Sequence, residues 1–159
     1  WNCGQFAVAL RLLADSAPLI AALERFGPLY MENVARRWCW RLGVESRGLE
    51  EDTRLVSLCE AAMREGALQP DAFFFAHRGG RGAATEALAE TLAEYAPLSS
   101  IHEYWSDDKP QSMLIEEVEE IWSAIEKDDD WTPLHAKVAA LRRMGDAHGA
   151  PPVPAGHLS

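Results

Sequence analysis

Met113-Leu114-Ile115-Glu116-Glu117-Val118-Glu119-Glu120-Ile121-Trp122-Ser123-Ala124-Ile125-Glu126-Lys127 is the stretch on which the reading of the chain turns. Leu114, Val118, Ile121, Trp122 and Ile125 recur at three- and four-residue intervals, the period of one helix face. Glu116, Glu117, Glu119 and Glu120 fill the turns between them. This is the clearest helix of the chain, with an apolar stripe expected to face inward. The same period extends outward in both directions, and alternating strand patterns are nearly absent. Asp130 or Thr132 opens a last helix, with Leu134, Val138, Leu141 and Met144 inward.

Toward the N-terminus, Phe6, Leu10 and Leu13, with Ala9 beside them, form one stripe. Asp15-Ser16-Ala17-Pro18 reads as a stop and restart, with Ser16 as cap and Pro18 in the first turn. Leu19, Ile20, Leu23 and Phe26 continue the pattern. Gly27-Pro28 is expected to kink or break it, because proline lacks an N–H and crowds the preceding turn. Leu29, Met31, Val34, Trp38 and Leu42 carry the stripe to Gly43, which suits a C-terminal cap. After a polar connection, Asp52 or Thr53 is expected to cap a helix whose inner face is Leu55, Val56, Leu58, Cys59, Ala62 and Met63, closed by Gly66. Pro70 and Asp71 start a short piece, Ala72-Phe73-Phe74-Phe75-Ala76, in which three aromatics cannot share one helix face; strand is the competing reading. Residues 85–95 form a moderate helix with Leu88 and Leu92 inward, and 97–111 a long polar loop holding Tyr104-Trp105. The sum is an all-α fold of six or seven short, unequal, obliquely packed helices over residues 1–148 as a single helical domain. Residues 149–159 carry three prolines and no periodicity, and read as a flexible tail.

The 159 residues carry a net charge of −10. A chain of this length buries roughly 70% of the surface its unfolded form exposes. The acidic balance argues against non-specific nucleic-acid binding and against an anionic membrane surface. No apolar run approaches the roughly 18–20 residues of a membrane span. Cys3, Cys39 and Cys59 lack any CxxC spacing and read as small buried hydrophobes in a reducing compartment, the cytoplasm.

Each stretch that resembles a reactive motif has a plainer reading. His77-Arg78-Gly79-Gly80-Arg81-Gly82 has the glycines of a phosphate cradle but not the Lys and Ser/Thr of a P-loop, and reads as a mobile surface loop. His102-Glu103-Tyr104-Trp105-Ser106 begins like HExxH, but Ser106 stands where the second histidine belongs. Glu116, Glu117, Glu119 and Glu120 lack the Glu-x-x-His partners of a di-iron bundle and read as a solvated face. Asp128-Asp129-Asp130 lacks the alternation of a calcium loop and reads as a turn with a helix cap. His77, His102, His135, His148 and His157 pair closely with no Cys or Ser. Trp38, Trp40 and Trp122 sit in helical patterns and read as core. No catalytic, cofactor-binding or metal residue is assigned.

The order of several segments resembles the SelO family of kinase-like protein adenylyltransferases. The segments are Trp1-Asn2 followed by a helix, Ala17-Pro18-Leu19, and a helix ending Arg41-Leu42-Gly43-Val44. Asp52, Leu55, Leu58 and Met63 are similar to its next helix, and Asp71-Ala72-Phe73-Phe74-Phe75 resembles its Asp-x-Thr-x-Phe-Phe-Arg segment. The stretch 113–122 with Asp129-Asp130-Trp131 looks like the C-terminal end of some bacterial members. The resemblance covers about 1–80 and 112–147. It departs from the family at Cys3-Gly4-Gln5, at His77 with its glycines, and in lacking a redox cysteine near the C-terminus.

The resemblance implies a parent enzyme that binds ATP and magnesium and transfers AMP to hydroxyl side chains of protein substrates. Its ATP and magnesium residues lie upstream of the Trp-Asn helix, so none is carried onto this chain. The start at Trp1, without Met, reads as a cut edge. The expectation is a helical C-lobe part whose partner is its own N-terminal catalytic lobe, with no cofactor in this part and neither nucleic acid nor membrane as partner. The rival is a stand-alone acidic helical interaction module without catalysis; a small-molecule-binding helical bundle has only the tryptophan content behind it. The first predicts an uncovered apolar face near the N-terminal helices and the rival predicts none.

Overall fold

The computed structural model describes residues 1–82, 84–98 and 101–154. Among them seven α-helices follow in order: α1 (Asn2–Leu10), α2 (Ser16–Leu42), α3 (Leu49–Glu65), α4 (Pro70–Ala76), α5 (Glu86–Ala93), α6 (Ile115–Asp128) and α7 (Thr132–His148). Two 3-10 turns, Arg78–Gly80 and Glu103–Ser106, complete the regular structure, and no strand forms among the described residues. The fold is all-α. The core gathers where α2, α3, α4 and α5 meet, around Cys39, Leu42, Leu55, Cys59, Phe73 and Leu88. Burying each of the larger side chains contributes about 1.5–3 kcal/mol.

The expected break at Gly27-Pro28 does not occur, and α2 runs unbroken through Pro28. Both residues are exposed. Water can therefore solvate the carbonyl one turn back that the proline leaves without a donor. The buried stripe of α2 is Ala35, Cys39 and Leu42 rather than the line through Met31, which is exposed; Val34 and Trp38 are half-buried. The helix ends as expected at Gly43, in the left-handed conformation at φ 67°. The Val44 N–H donates to Cys39 O at 3.0 Å and the Gly43 N–H to Trp40 O at 3.1 Å, the paired bonds of a Schellman cap. A Cβ on Gly43 would stand 2.4 Å from Arg78 Nε.

Helix α3 starts at Leu49, ahead of Asp52 and Thr53, so neither is its cap. Asp52 lies one turn in and is itself buried, in line with Leu55, Val56, Cys59 and Ala62. Its carboxylate reaches back to the preceding loop, accepting from Ser46 Oγ at 2.5 Å and the Arg47 N–H at 3.0 Å. At the other end Gly66 keeps a right-handed conformation, and Ala67 takes the left-handed one at φ 47°. The Leu68 N–H reaches Met63 O at 3.0 Å, so the cap forms around alanine, one residue late.

The aromatic run is helical, and its rings do face several sides. Phe74 meets Trp38 edge-on at 5.1 Å, Phe73 meets His77 at 4.5 Å, and Phe75 meets Tyr104 at 5.4 Å. Arg41 lies over the Phe74 ring and pairs with Asp71 at 2.8 Å, fastening α4 to α2. Thr85 caps α5 through its side chain, accepting from the Leu88 N–H at 3.2 Å. The stretch 97–111 is more than a polar loop: its 3-10 turn buries Tyr104, whose hydroxyl accepts the Gln111 N–H at 3.0 Å. Arg143 of α7 grips the turn, with both terminal nitrogens on Asp107, at 2.5 and 3.0 Å, and Nε on Glu103.

Two expectations of burial fail and a third holds in part. Helix α6 buries no residue: Leu114, Val118 and Trp122 are exposed, while Ile121 and Ile125 are half-covered beside α7. In α7 the expected inner residues Leu134, Val138, Leu141 and Met144 are half-buried, and Ala147 alone is fully buried. Cys3 is exposed, although Cys39 and Cys59 are buried thiols. Residues 149–154 form no regular structure, and 155–159 of the expected tail lie outside the described residues.

Two substitutions test the helix ends. Gly43→Ala is expected to cost about 2 kcal/mol or more, from a left-handed alanine and a displaced guanidinium. Ala67→Gly is expected to stabilise by about 0.5 kcal/mol by relieving the same backbone strain. Urea unfolding of both variants checks the opposite signs.

Candidate functional site

Two buried polar clusters hold most of the unusual electrostatics. The first surrounds Asp52. Besides Ser46 and Arg47, its carboxylate accepts the Tyr95 hydroxyl at 3.1 Å, bringing the end of α5 onto α3. The Cys39 thiol lies within reach of its charge. Burial, then the Asp52 charge, pushes both the Cys39 thiol and the Tyr95 hydroxyl well above their ordinary ranges, so both stay protonated. Burial likewise pushes the Cys59 thiol up to about 12. These protonated, buried thiols are poor nucleophiles.

The second cluster surrounds Arg78, in the loop that looked like a phosphate cradle or a mobile surface. It is neither: the guanidinium is buried and turned inward. Nη1 donates to Trp40 O at 2.6 Å and to Arg41 O at 3.3 Å, and the charge stacks over Trp105 at 4.6 Å. A cation thus sits at the carbonyl end of α2, where the helix dipole favours it. His77 is buried beside it, with Nδ1 3.0 Å from Arg81 O. His148, against the Trp40 and Trp105 rings, is held neutral: burial first, then Arg78 and Arg41, lowers its pKa from 6.5 to about 4.

The remaining sequence candidates are not brought together. Glu103, the stem of the HExxH-like run, pairs with Arg143, and His102 Nδ1 accepts the Tyr104 N–H at 3.1 Å. Glu117 pairs with Lys137 of α7 at 2.8 and 2.9 Å, which lowers its pKa, while Glu116, Glu119 and Glu120 stay exposed. Asp129 turns out of α6 at φ 51° and accepts Trp131 Nε1, and Asp130 accepts the Thr132 N–H at 2.9 Å, as a turn and cap would. His135 is exposed on α7, and His157 lies outside the described residues. Among the described residues no three His, Cys, Asp or Glu side chains stand close enough to hold a metal ion. Among the described residues no helix is long and apolar enough to cross a membrane.

The most conspicuous candidate is a surface. Helix α1 and the front half of α2 lie side by side and bury almost nothing. Leu12 is 90% exposed, Leu13 85% and Phe6 66%, and Ile20, Phe26 and Tyr30 are also exposed. Between the two helices runs an open groove of about 360 Å³, lined by Ala7, Val8, Leu19, Ile20 and Leu23 with Arg11 at its edge. Monomeric proteins rarely leave a contiguous apolar area of this kind uncovered, and such faces mark interaction sites. Sequence periodicity put Phe6, Leu19, Ile20, Leu23 and Phe26 in its stripe, with Leu13, but not Ala7, Val8, Leu12 or Tyr30, and could not say whether this chain covers it. The roles of Asp52 and Arg78 were missed altogether, because both depend on contacts far away in sequence.

No protein-family model, no curated protein and no solved structure matches the chain.

The Asp52 cluster is testable by a cycle. Tyr95→Phe should cost about 1–2 kcal/mol and Asp52→Ala about 3 kcal/mol, since hydrogen bonds to a charged group are the stronger kind. Tyr95→Phe in an Asp52→Ala background should cost almost nothing further; strict additivity of the urea free energies would count against the shared bond. His148 sets a pH dependence. Its folded pKa is depressed, so the unfolded chain binds the extra proton between pH 6.5 and about 4. Its contribution to stability is full above that window and lost as the pH falls through it. His148→Gln should therefore narrow the difference in urea midpoint between pH 7 and pH 4.5.

Proposed function

We propose that this chain is the C-terminal helical part of a SelO-like protein adenylyltransferase, docked through α1 and the front half of α2 onto a catalytic lobe carried elsewhere in the parent protein. The observation that carries the reading is the uncovered apolar face of those two helices. It favours a part that has a partner over a self-sufficient acidic module, whose large apolar side chains should be covered. In the family that the order of segments resembles, the Trp-Asn helix, which would be α1, lies just downstream of the ATP- and magnesium-binding residues. Under this reading the fold is the C-lobe part of a kinase-like architecture working in the cytoplasm, and its role is to buttress the catalytic lobe and shape access for protein substrates.

ATP and magnesium belong to the other lobe in this reading, because the residues of this chain do not fit them. Arg78, in the one glycine-rich loop, is committed to two backbone carbonyls. The exposed glutamates of α6 and the described histidines form no metal cluster. The residues of this chain bind, cover and position, and none is assigned to AMP transfer.

The test is the upstream coding sequence. It should encode a glycine-rich nucleotide loop, a lysine and an Asn/Asp metal pair. The longer protein should bind Mg-ATP by calorimetry and label a protein acceptor with AMP, whereas this chain alone should not bind Mg-ATP measurably. A gene that starts at Trp1, or tight Mg-ATP binding by the isolated chain, overturns the proposal. This chain alone should also bind an apolar dye strongly. Ile20→Glu with Phe26→Glu should abolish most of that signal while changing stability by about 0.5 kcal/mol or less, because both positions are exposed.

A further inference from the structure

A second unpartnered face lies on α6, and it differs in chemistry from the first. One side of α6 rests on α7: Ile121 and Ile125 are half-covered there, and Glu117 is neutralised by Lys137. The other side is open. Leu114, Ile115, Val118 and Trp122 are all exposed, Trp122 at 60%. On a helix turning about 100° per residue, Ile115, Val118 and Trp122 fall within about 60° of one another. Glu126 and Glu119 occupy the next 40° or so, and Glu116 and Glu120 lie beyond them. Among the described residues none of these four glutamates forms an ion pair. The result is an apolar ridge two turns long, flanked by unneutralised negative charge.

The geometry points to this flank as a docking surface for a basic amphipathic helix of a partner protein. A ridge at i, i+3 and i+7 spacing packs along a second helix that carries bulky apolar residues at matching intervals. The carboxylates beside the ridge select lysine and arginine on the partner's flank and repel acidic competitors and anionic membranes. Trp122 is the anchor, since large aromatic side chains dominate the energetics of such contacts. The inference does not rest on the reading of α1 and α2, with which this flank shares no residue.

The experiment uses the full chain and a fluorescein-labelled synthetic Leu/Lys amphipathic helix of about 18 residues, followed by anisotropy. A Leu/Glu counterpart and a Leu/Lys peptide of scrambled order serve as comparisons. Saturable binding of the ordered Leu/Lys helix is expected, weakening as salt rises, with little binding of either comparison peptide. Trp122→Ala should weaken binding at least tenfold, and Glu119→Lys with Glu126→Lys several-fold. Val118→Ser, with the helical circular dichroism of the chain unchanged, gives a second reading of the ridge. Glu60→Lys with Glu65→Lys, the same charge change on exposed positions of α3, should leave binding within about twofold. Equal losses from the α3 and α6 charge reversals would reduce the effect to bulk charge and overturn the proposal. So would equal binding of the scrambled peptide, or no binding at all. Self-association that Trp122→Ala abolishes, in the absence of peptide binding, would assign the flank to a second copy and also overturn it.

Discussion

The placement of one cation at the end of α2 governs how the rest of the chain can pack. Arg78 brings a full charge into the interior, which is costly unless donors and charge are both satisfied. The C-terminal turn of α2 meets both needs: it offers carbonyls with accepting capacity to spare and the negative end of the helix dipole. The guanidinium fills the space over Gly43, so the glycine is required twice, for its backbone conformation and for its missing side chain. Trp105 covers the other face of the cation, and His148 closes the same pocket from the end of α7. A loop, a long helix, a 3-10 turn and the last helix thus converge on one buried charge. A neutral His148 follows from that convergence, first because burial strips water from the imidazole and then because Arg78 and Arg41 repel a second positive charge.

Asp52 plays the matching part on the other side of the core. It takes donors from the loop before α3 and from Tyr95 at the end of α5, and so sets the depth at which those elements meet. Arg47 shows how local the arrangement is: its backbone N–H serves Asp52 while its side chain lies over the Tyr95 ring and pairs with Glu94. The isolated bridge between Val44 and Pro97 continues the same seam, with the Leu98 N–H on Gly43 O at 2.8 Å. A core built on small residues such as Cys39, Cys59 and Ala62 gains its uniqueness from such polar fasteners as much as from shape.

Local signals were legible and long-range ones were not. The Gly43 cap, the Thr85 start of α5, the inner face of α3 and the helical aromatic run all follow from contacts within four or five residues, which spacing encodes directly. Asp before an apolar run usually caps the helix that follows; Tyr95, 43 residues on, is what makes Asp52 a buried acceptor instead. Arg78 was read as part of a surface loop because nothing nearby reveals that the end of α2 waits for it. Periodicity also identifies a stripe without saying what covers it. The stripes of α1 and α6 are as regular as that of α3, yet only α3 is covered by its own chain. The resemblance to an adenylyltransferase family rests on the order and spacing of short matched segments, which encode no tertiary contact.

Burial along α2 is confined to one end, and that has an energetic consequence. The helix has 27 residues, about 40 Å, and its buried positions are confined to Ala35, Cys39 and Leu42 near one end. Pro28, mid-helix, removes a bond worth keeping, and helices in water draw most of their stability from packing rather than propensity. The front half of α2 therefore has little to hold it but α1, itself only nine residues long and without a buried side chain. Two such helices leaning on each other bury too little apolar surface to offset the ordering of their backbones at about 1–2 kcal/mol per residue. A covering surface would supply the missing burial, and Phe6, Ile20 and Phe26 are where it would have to come from.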